Sequence, residues 1–354
     1  VRRTMQTEFE GVSTIIIEEY SMMSLDLLES IDHRLRAAFP LCCDQYFGGR
    51  NVNLVGDPGQ LPPVSGKAPR AQSGGQRKSA GQNLFDMFDF VMELRQSQRL
   101  NQASTTVDAF QDVLRDLRLL SPTETTFNVL STRMESNLNE ATKHAFDDAI
   151  EIHATNNTAL AANHNAISQL LANRPAEFNN VATIIAEDVG RVAGVPVTTV
   201  LLKVLRLFVG ALVMLRTNVN VSSGLVNGAR GVVVAIIYDE TRAPPSLPRA
   251  VIVQLNQYGG VSCHPTLDNC AAISPIKENL YKQTGRQRNR DQRDGEGRPP
   301  TRKMFPLVPT YAITIHKSQG QTLNPLVVNI GEREFTSSLT YTAISRATSL
   351  EGLL

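Results

Sequence analysis

The sequence predicts an α/β fold, and two short apolar runs separated by a helical pattern carry that prediction. Residues 12–17 form a run rich in β-branched side chains, as expected for a buried strand of a parallel sheet. Leu28, Ile31 and Leu35 then recur at the spacing of one helix face. Residues 51–55 form a second apolar strand. The order strand, helix, strand is typical of an α/β sheet.

Strand-like and helix-like segments continue to alternate along the rest of the chain. In chain order we predict an exposed loop over 65–82, a helix over 107–117, a strand and a helix within 150–171, a strand-rich region over 181–262, a polar Arg-rich loop over 285–303, strands near 311–315 and 326–330, and a short closing helix.

Length and composition exclude several classes of protein. The 354 residues are 42% hydrophobic and 19% charged, enough for about two or three domains at roughly 100–200 residues each. The net charge of +1 means that any nucleic-acid surface must be local. No apolar run approaches the roughly 18 residues of a membrane-spanning helix, so we expect no membrane partner.

The four cysteines favour a reducing compartment. Cys42 and Cys43 are adjacent, which makes a poor disulfide framework, and no CxxC pair is present. Cys263, His264 and Cys270 are a weak alternative as part of a zinc site, because a fourth ligand and the usual pairing are missing.

Two adjacent acidic residues, Glu18 and Glu19, directly follow the first predicted strand. In nucleotide-hydrolysing sheets, a carboxylate at the C-terminal end of a strand holds Mg²⁺, and a neighbouring carboxylate can polarise the attacking water. Adjacent acids also occur simply where a chain leaves the core. The pair alone therefore leaves both interpretations open.

The turn after the second predicted strand is more specific. Residues 56–63 read Gly-Asp-Pro-Gly-Gln-Leu-Pro-Pro, and the glycine turn places Asp57 and Gln60 at the functional edge of the sheet. Gln60 can hydrogen-bond a phosphate oxygen or an attacking water without adding charge. The alternative is a plain Pro/Gly turn.

A segment dense in hydrogen-bond donors, 314–322, follows a later apolar strand. Its Gly320 permits close approach of the backbone to a ligand. Thr314, His316 and Lys317 are suited to grip phosphates of a nucleic-acid strand or a nucleotide. A purely structural turn would rarely need so many polar groups.

Two arginines, Arg99 and Arg346, have the chemistry to contact a γ-phosphate. Arg346 lies at or near the start of the predicted closing helix, from which a guanidinium can reach across a domain cleft. Taken singly, each residue is more typical of a solvated surface arginine. Only the other motifs favour a role in phosphate binding.

The order of these motifs resembles that of the Pif-family DNA helicases, superfamily-one enzymes related to the RecD type. The resemblance covers the chain from Glu18 to Gly352. In chain order, residues 15–23 resemble the family's Walker B segment, 56–64 its glutamine-bearing motif III, Arg99 the arginine of motif IV, 224–231 the characteristic LVNG-RG segment, 312–323 motif V and 341–352 motif VI.

The resemblance implies a role for each matching residue. The implied roles are catalysis for Glu19, Gln60, Arg99 and Arg346, contact with the nucleotide for Asp57, Gly320 and Gln321, magnesium binding for Glu18, and DNA binding for Thr314, His316 and Lys317. ATP and Mg²⁺ would be the cofactors, and single-stranded DNA and duplex junctions the partners.

The resemblance also implies an architecture and an activity. The fold would be two RecA-like parallel-sheet domains, the first incomplete, with a small SH3-like β insertion in the second. The expected segments are 1–100 for the first domain, 101–231 and 306–354 for the second, and 232–305 for the insertion. The family couples ATP hydrolysis to 5′-to-3′ translocation and duplex unwinding. We expect a monomer that acts in DNA repair, recombination or telomere maintenance, in the nucleus or alternatively the mitochondrion.

Two departures from the family pattern weaken the expectation of activity. Glu18 stands where the family usually has Asp, and Mg²⁺ demands near-ideal geometry. The phosphate-binding pattern GxxxxGK[ST] is missing, and residues 74–79 do not replace it, because their spacing is wrong. We therefore expect a fragment, beginning at Val1, that exposes an apolar strand, dissolves poorly and is inactive alone. The alternative is a degenerate remnant that still binds single-stranded DNA.

Overall fold

The computed structural model describes residues 2–70, 78–100, 106–147, 149–173, 181–190, 201–280 and 300–354. The chain divides into two compact units. The first unit contains residues 1–156 and 313–354, and the second contains residues 157–312. Most of the Arg-rich segment and the middle of the loop predicted over 65–82 lie outside the described residues.

Helices and strands alternate along most of the chain. The described helices are α1 (Arg2–Glu8), α2 (Leu25–Ala38), α3 (Ala80–Phe85), α4 (Val107–Arg118), α5 (Glu124–Ser131), α6 (Glu140–His144), α7 (Asn156–Asn173), α8 (Ile315–Ser318) and α9 (Leu339–Ile344). The described strands are β1 (Thr14–Ile17), β2 (Asn51–Leu54), β3 (Ile150–His153), β4 (Ala182–Ile185), β5 (Glu187–Val189), β6 (Val204–Leu207), β7 (Leu212–Leu215), β8 (Arg230–Ile237), β9 (Ala250–Leu255), β10 (Cys270–Ile273), β11 (Ile276–Asn279), β12 (Thr301–Met304), β13 (Leu307–Pro309), β14 (Ala312–Thr314) and β15 (Leu326–Asn329).

Parallel strand pairs characterise the first unit. β1 pairs with β2 in parallel, and α2 lies between them in the chain. β3 likewise pairs in parallel with β15, and β14 lies on the other side of β3. Leu28 and Leu35 bury one face of α2, as their spacing predicted. The α/β fold class is therefore confirmed.

One strand of this unit exposes apolar surface. Among the described residues, β1 pairs with β2 alone. Ile16, in the middle of β1, is 61% exposed. Parallel sheets are normally covered on both faces, so an isoleucine in a parallel strand is usually buried. The exposure agrees with the apolar surface that the sequence predicted here, and poor solubility stays a prediction.

The second unit is rich in antiparallel strands. Its largest sheet has the order β10-β9-β8-β7-β13, and its smaller sheets are β11-β12-β5 and β4-β6. The predicted boundary at 231/232 falls inside β8, and the boundary at 305/306 precedes β13, which pairs with β7. The limits of the unit thus differ from those predicted for the insertion, because one hydrogen-bonded sheet extends beyond both boundaries.

Neither a membrane segment nor a metal cluster is found in the described residues. Every described helix is too short or too polar to serve as a membrane-crossing segment. No three His, Cys, Asp or Glu side chains within those residues come together as metal ligands. All four cysteines are free thiols.

A buried asparagine fixes the backbone that leads into β14. Asn163 of α7 is 6% exposed. Its Oδ1 accepts hydrogen bonds from the backbone N–H groups of Tyr311 (2.9 Å) and Ala312 (3.0 Å). Its Nδ2 donates to the carbonyl oxygens of Ala159 (2.8 Å) and Ala312 (2.6 Å). One side chain therefore satisfies four backbone groups.

Replacing Asn163 by leucine should destabilise the fold. The Asn163→Leu change keeps the volume but leaves buried backbone groups without partners, so we expect a loss of about 2–4 kcal/mol in the free energy of unfolding. Denaturant titration would measure this. Ser168→Ala, which removes an exposed hydroxyl from the same helix, should change stability by no more than about 0.5 kcal/mol. Equal losses in the two variants would contradict the anchoring role.

Candidate functional site

The end of β1 places one of its two acidic residues in an unusual backbone conformation. Glu19 has φ 52° and ψ 41°, in the left-handed region that residues with a side chain seldom adopt. The backbone N–H of Tyr20 donates to the carbonyl oxygen of Val55 (3.2 Å), which ties this bend to the chain just beyond β2. Glu18 is exposed. The bend therefore sends two adjacent carboxylates into different environments.

Glu19 meets the segment that follows α8. Gln319 Nε2 donates to Glu19 Oε2 at 2.7 Å and lies 3.4 Å from the hydroxyl of Ser21. Gly320 has φ +76°, and a Cβ on it would lie 3.5 Å from Glu19 Oε1. The structure thus brings Glu19 together with predicted motif V, and the contact with nucleotide predicted for Gly320 stays a prediction.

The turn after β2 approaches the same bend closely. Gly56 has φ +154°, and a Cβ there would lie 3.1 Å from the backbone nitrogen of Tyr20. The glycine is therefore required by close packing of the two strand ends. Gln60 follows in the same turn, and its buried Oε1 has no hydrogen-bond partner in the described part of the chain. This oxygen can accept a hydrogen bond near the ends of β1 and β2.

Asp57 holds this turn in place through three donors. Its Oδ1 accepts from the backbone N–H of Gly59 (2.8 Å) and from Arg118 Nε (2.9 Å). Its Oδ2 accepts from the hydroxyl of Tyr341 (2.6 Å). These bonds show a structural role for the carboxylate, and the contact with nucleotide predicted for Asp57 stays a prediction.

Two guanidinium groups lie beside each other near Glu19. Arg346 is 1% exposed, and it donates to the carbonyl oxygen of Thr342 (2.9 Å) and the hydroxyl of Ser345 (2.8 Å). Arg99 donates to the carbonyl oxygen of Ser345 at 2.8 Å. In the described residues neither arginine has a carboxylate as a hydrogen-bond partner.

The pKa values of both arginines reflect this crowding of positive charge. Burial, followed by the charge of Arg99, lowers the pKa of Arg346 to about 10, and Glu19 opposes the shift. Burial likewise lowers the pKa of Arg99. Two desolvated cations that form no ion pair within the described part of the chain favour the binding of an anion, which would offset both costs. The site therefore has the electrostatics of a phosphate-binding centre.

The remaining residues predicted in segment 314–322 are buried by, stack on or bond to neighbouring groups of the protein. Thr314 is 7% exposed at the start of α8. The ring of His316 stacks on Phe335 with centroids 6.5 Å apart, and burial lowers its pKa. Gln321 Nε2 donates to the carbonyl oxygen of Lys317 at 2.6 Å. Contacts with DNA or nucleotide for these residues stay predictions.

Three residues of the site were not assigned a role by the sequence. Arg118 lies in the last turn of α4, where its pairing with Asp57 spans 61 positions. Tyr341 and Gln319 lie inside recognised motifs, but their partners are 284 and 300 positions away. No local pattern encodes such pairs. The positions of Tyr341 and Gln319 within motifs were the available signal for those two residues, and Arg118 had none.

This combination of parallel strands and side chains is typical of α/β proteins of the nucleotide-hydrolase class. A carboxylate, a glutamine, the buried Arg346 and the half-buried Arg99 lie near the carboxyl ends of β1 and β2. In open parallel sheets this edge is where ligands bind.

Comparison with known proteins finds similarity to Pif1-like helicases. Residues 2–126 match the PIF1-like helicase family model, and residues 195–236 match the model of the DNA helicase Pif1 2B domain. The ATP-dependent DNA helicase PIF1 of Danio rerio is 29% identical over 351 residues, which cover 96% of this chain and 45% of the relative. The chain is thus similar to Pif1-like helicases, in agreement with the resemblance that its motifs indicated.

Solved structures confirm the fold. The Pif1 helicase crystal structure from Candida albicans has a TM-score of 0.67 and 23% identity, covering 99% of this chain and 73% of that one. Bacteroides Pif1 bound to single-stranded DNA has a TM-score of 0.65 and 21% identity, covering 99% and 71%. The chain spans about half the length of the curated relatives it matches.

Removing the Tyr341 hydroxyl should weaken the fold in a pH-dependent way. Tyr341→Phe loses the bond to Asp57, so we expect a decrease of about 1–2 kcal/mol in the unfolding free energy at neutral pH. Burial and the bond to Asp57 raise the pKa of Tyr341 above its ordinary value of 10.0. The contribution is therefore complete below pH 10 and is lost above it, because the unfolded chain releases the proton first.

Denaturant unfolding at a series of pH values tests this expectation. The difference in unfolding free energy between the unchanged protein and Tyr341→Phe should shrink as the pH rises above about 10. Tyr46, which is 50% exposed, supplies the control substitution Tyr46→Phe, for which we expect little change. A difference for Tyr341→Phe that stayed constant with pH would be evidence against the buried hydrogen bond.

Proposed function

We propose that this chain forms the larger part of an ATP-dependent DNA helicase motor. The observation that carries the proposal is that the charge of Glu19 acts on both Arg99 and Arg346, whose segments are far from it in sequence, while Arg99 bonds to the residue before Arg346. The Danio rerio relative is named an ATP-dependent DNA helicase. The Bacteroides relative was solved with ADP-AlF3 and single-stranded DNA. Both descriptions support ATP and DNA as ligands of this chain.

The side chains of the site supply the steps of phosphoryl transfer. Arg99 and Arg346 stabilise the charge that develops on the γ-phosphate. Glu19 accepts a proton from the attacking water. The water oxygen then bonds to the γ-phosphorus as the bond to the bridging oxygen breaks, which releases ADP and phosphate. The free Oε1 of Gln60 is suited to orient that water.

The acidic residues of the site fit a magnesium ion only together with phosphates. Glu18 is exposed directly beside Glu19, and carboxylate oxygens are preferred ligands of Mg²⁺. No cluster of three acidic or metal-binding side chains occurs among the described residues. Mg²⁺ is commonly held by one or two carboxylates, water and substrate phosphates. When bound, the ion would neutralise charge on the phosphates, with Glu18 as its proposed protein ligand.

The missing phosphate-binding pattern limits what this chain does alone. Its 354 residues contain no GxxxxGK[ST] sequence. Backbone N–H groups and the lysine of that loop hold the β- and γ-phosphates in related enzymes. We therefore propose that the isolated chain does not hydrolyse ATP, and that the phosphate-binding loop comes from elsewhere in the whole protein.

DNA binding and cellular role complete the proposal. Thr314, His316 and Lys317 form the proposed path of single-stranded DNA, along which the motor moves 5′ to 3′ and unwinds duplex junctions. A monomer acting in nuclear DNA repair, recombination or telomere maintenance agrees with the family resemblance. The second candidate function is a remnant that only binds single-stranded DNA, and the presence of Glu18 in place of Asp favours it.

ATP hydrolysis tests the first candidate. The protein expressed from its complete reading frame should hydrolyse ATP faster with single-stranded DNA than without it. Arg346→Ala should lower the DNA-stimulated rate by roughly 10³-fold or more, because the phosphate loses a buried cation. Arg249→Ala, at an exposed position outside the site, is the matched control and should leave the rate unchanged.

Either outcome separates the two candidates. Hydrolysis stimulated by DNA and lost in Arg346→Ala establishes the motor. A folded protein that binds ATP and DNA but hydrolyses nothing establishes the remnant. Robust magnesium-dependent hydrolysis by the 354-residue chain alone would contradict the requirement for an additional phosphate-binding loop.

Magnesium dependence tests the assignment of Glu18. Shortening the side chain in Glu18→Asp restores the carboxylate length usual for the family. We expect this variant to reach half-maximal hydrolysis at a lower Mg²⁺ concentration, because the ion demands strict geometry. Glu10→Asp, at an exposed position before β1, is the control. An unchanged magnesium titration would remove Glu18 from the metal site.

A further inference from the structure

One glutamine joins the catalytic carboxylate to the segment proposed to contact DNA. We propose that Gln319 is a positioning residue that holds Glu19 ready for catalysis and makes hydrolysis depend on the DNA-facing segment 314–318. This inference rests on the proposed function. It adds that the contact between Gln319 and Glu19 regulates hydrolysis. Its basis is the 2.7 Å hydrogen bond from Gln319 Nε2 to Glu19 Oε2.

Glu19 needs an external support to keep one orientation. It sits at a left-handed bend and is only partly buried, so fixing its carboxylate costs side-chain entropy that a hydrogen bond can offset. Gln319 is the side-chain donor to this carboxylate among the described contacts. The same Nε2 group lies 3.4 Å from Ser21 Oγ, which is buried and helps to fix the amide.

The carbonyl oxygen of the Gln319 amide also supports a positioning role. Gln319 Oε1 is buried and has no hydrogen-bond partner within the described residues. A buried carbonyl oxygen of this kind normally accepts a bond from protein or water. Glu19 Oε1 and Gln319 Oε1 thus provide two acceptors on neighbouring side chains. Together they suit one water molecule, whose proton passes to Glu19 during attack on the γ-phosphorus.

The position of Gln319 in the chain explains the dependence on DNA. It is the residue directly after α8, and α8 contains His316 and Lys317. A short rigid helix transmits a shift at those two residues to Gln319 within one turn. Binding of DNA to α8 would therefore favour the arrangement in which Gln319 holds Glu19, whereas DNA-free protein populates it less.

A double-mutant cycle on hydrolysis separates a positioning role from a general structural one. In the complete protein, Gln319→Met should lower the DNA-stimulated kcat by roughly 10-fold to 100-fold, because a misplaced carboxylate loses its alignment. KM for ATP and the affinity for single-stranded DNA should change little. In a Glu19→Gln background, Gln319→Met should cause no further loss, since it acts only through Glu19.

Two more variants sharpen the test. Gln319→Glu keeps the length but places a second negative charge beside Glu19, so its loss should exceed that of Gln319→Met. Gln254→Met removes a side-chain donor on β9, outside the site, and should leave the rate and its stimulation by DNA unchanged. Additive losses for Gln319→Met and Glu19→Gln, or a normal DNA stimulation in Gln319→Met, would overturn the proposal.

Unfolding measurements on the 354-residue chain distinguish this inference from the proposed function. The same double-mutant cycle, applied to the free energy of unfolding, should show coupling between Gln319 and Glu19 if the hydrogen bond is present. Absence of coupling rejects the contact whatever the rate of hydrolysis. Coupling in a complete protein that hydrolyses no ATP instead rejects the proposed motor, and with it the regulatory role of this contact.

Discussion

The site depends on the carboxylate of Asp57, which accepts hydrogen bonds from three parts of the chain. Asp57 accepts hydrogen bonds from the backbone of its own turn, from Arg118 and from Tyr341. Bonds to a charged acceptor are roughly twice as strong as neutral ones. They fix the turn that carries Gln60 and hold α9 against it. The helix that ends next to Arg346 is thereby kept beside the ends of the parallel strands.

Charge is distributed over this site in an unbalanced way. The partner of Arg118 is Asp57, at 2.9 Å, which satisfies that cation. Arg99 and Arg346 instead bond to neutral oxygens, although both are desolvated. A buried cation without a counter-ion lowers stability. This arrangement supports the proposed binding of a polyphosphate, because its γ-group would neutralise both guanidiniums.

Local pattern was sufficient for the elements of the fold but not for their partners. β1, α2 and β2 were predicted correctly because strand and helix periodicity are properties of short segments. The pairing of β3 with β15 joins segments more than 170 positions apart, and no local pattern contains it. Local patterns also do not contain the pairing of Asp57 with Arg118 and Tyr341, or the pairing of Gln319 with Glu19. The predicted boundary at 231/232 falls inside β8, because a motif ends there while the strand continues.

The unsatisfied groups of the first unit offer a physical reason to favour a working motor over a remnant. Within the described residues, buried polar atoms without hydrogen-bond partners include those of Gln60, Gln319 and Thr342. Glu19 adds an unfavourable backbone conformation, and Arg346 adds a buried charge whose described hydrogen bonds all go to neutral oxygens. Each feature costs stability, and such costs persist in proteins where a ligand or a reaction uses the exposed chemistry. Gln319, Arg346 and the left-handed backbone of Glu19 occur together, which supports the proposed motor over a remnant, since a remnant would have no use for these uncompensated groups.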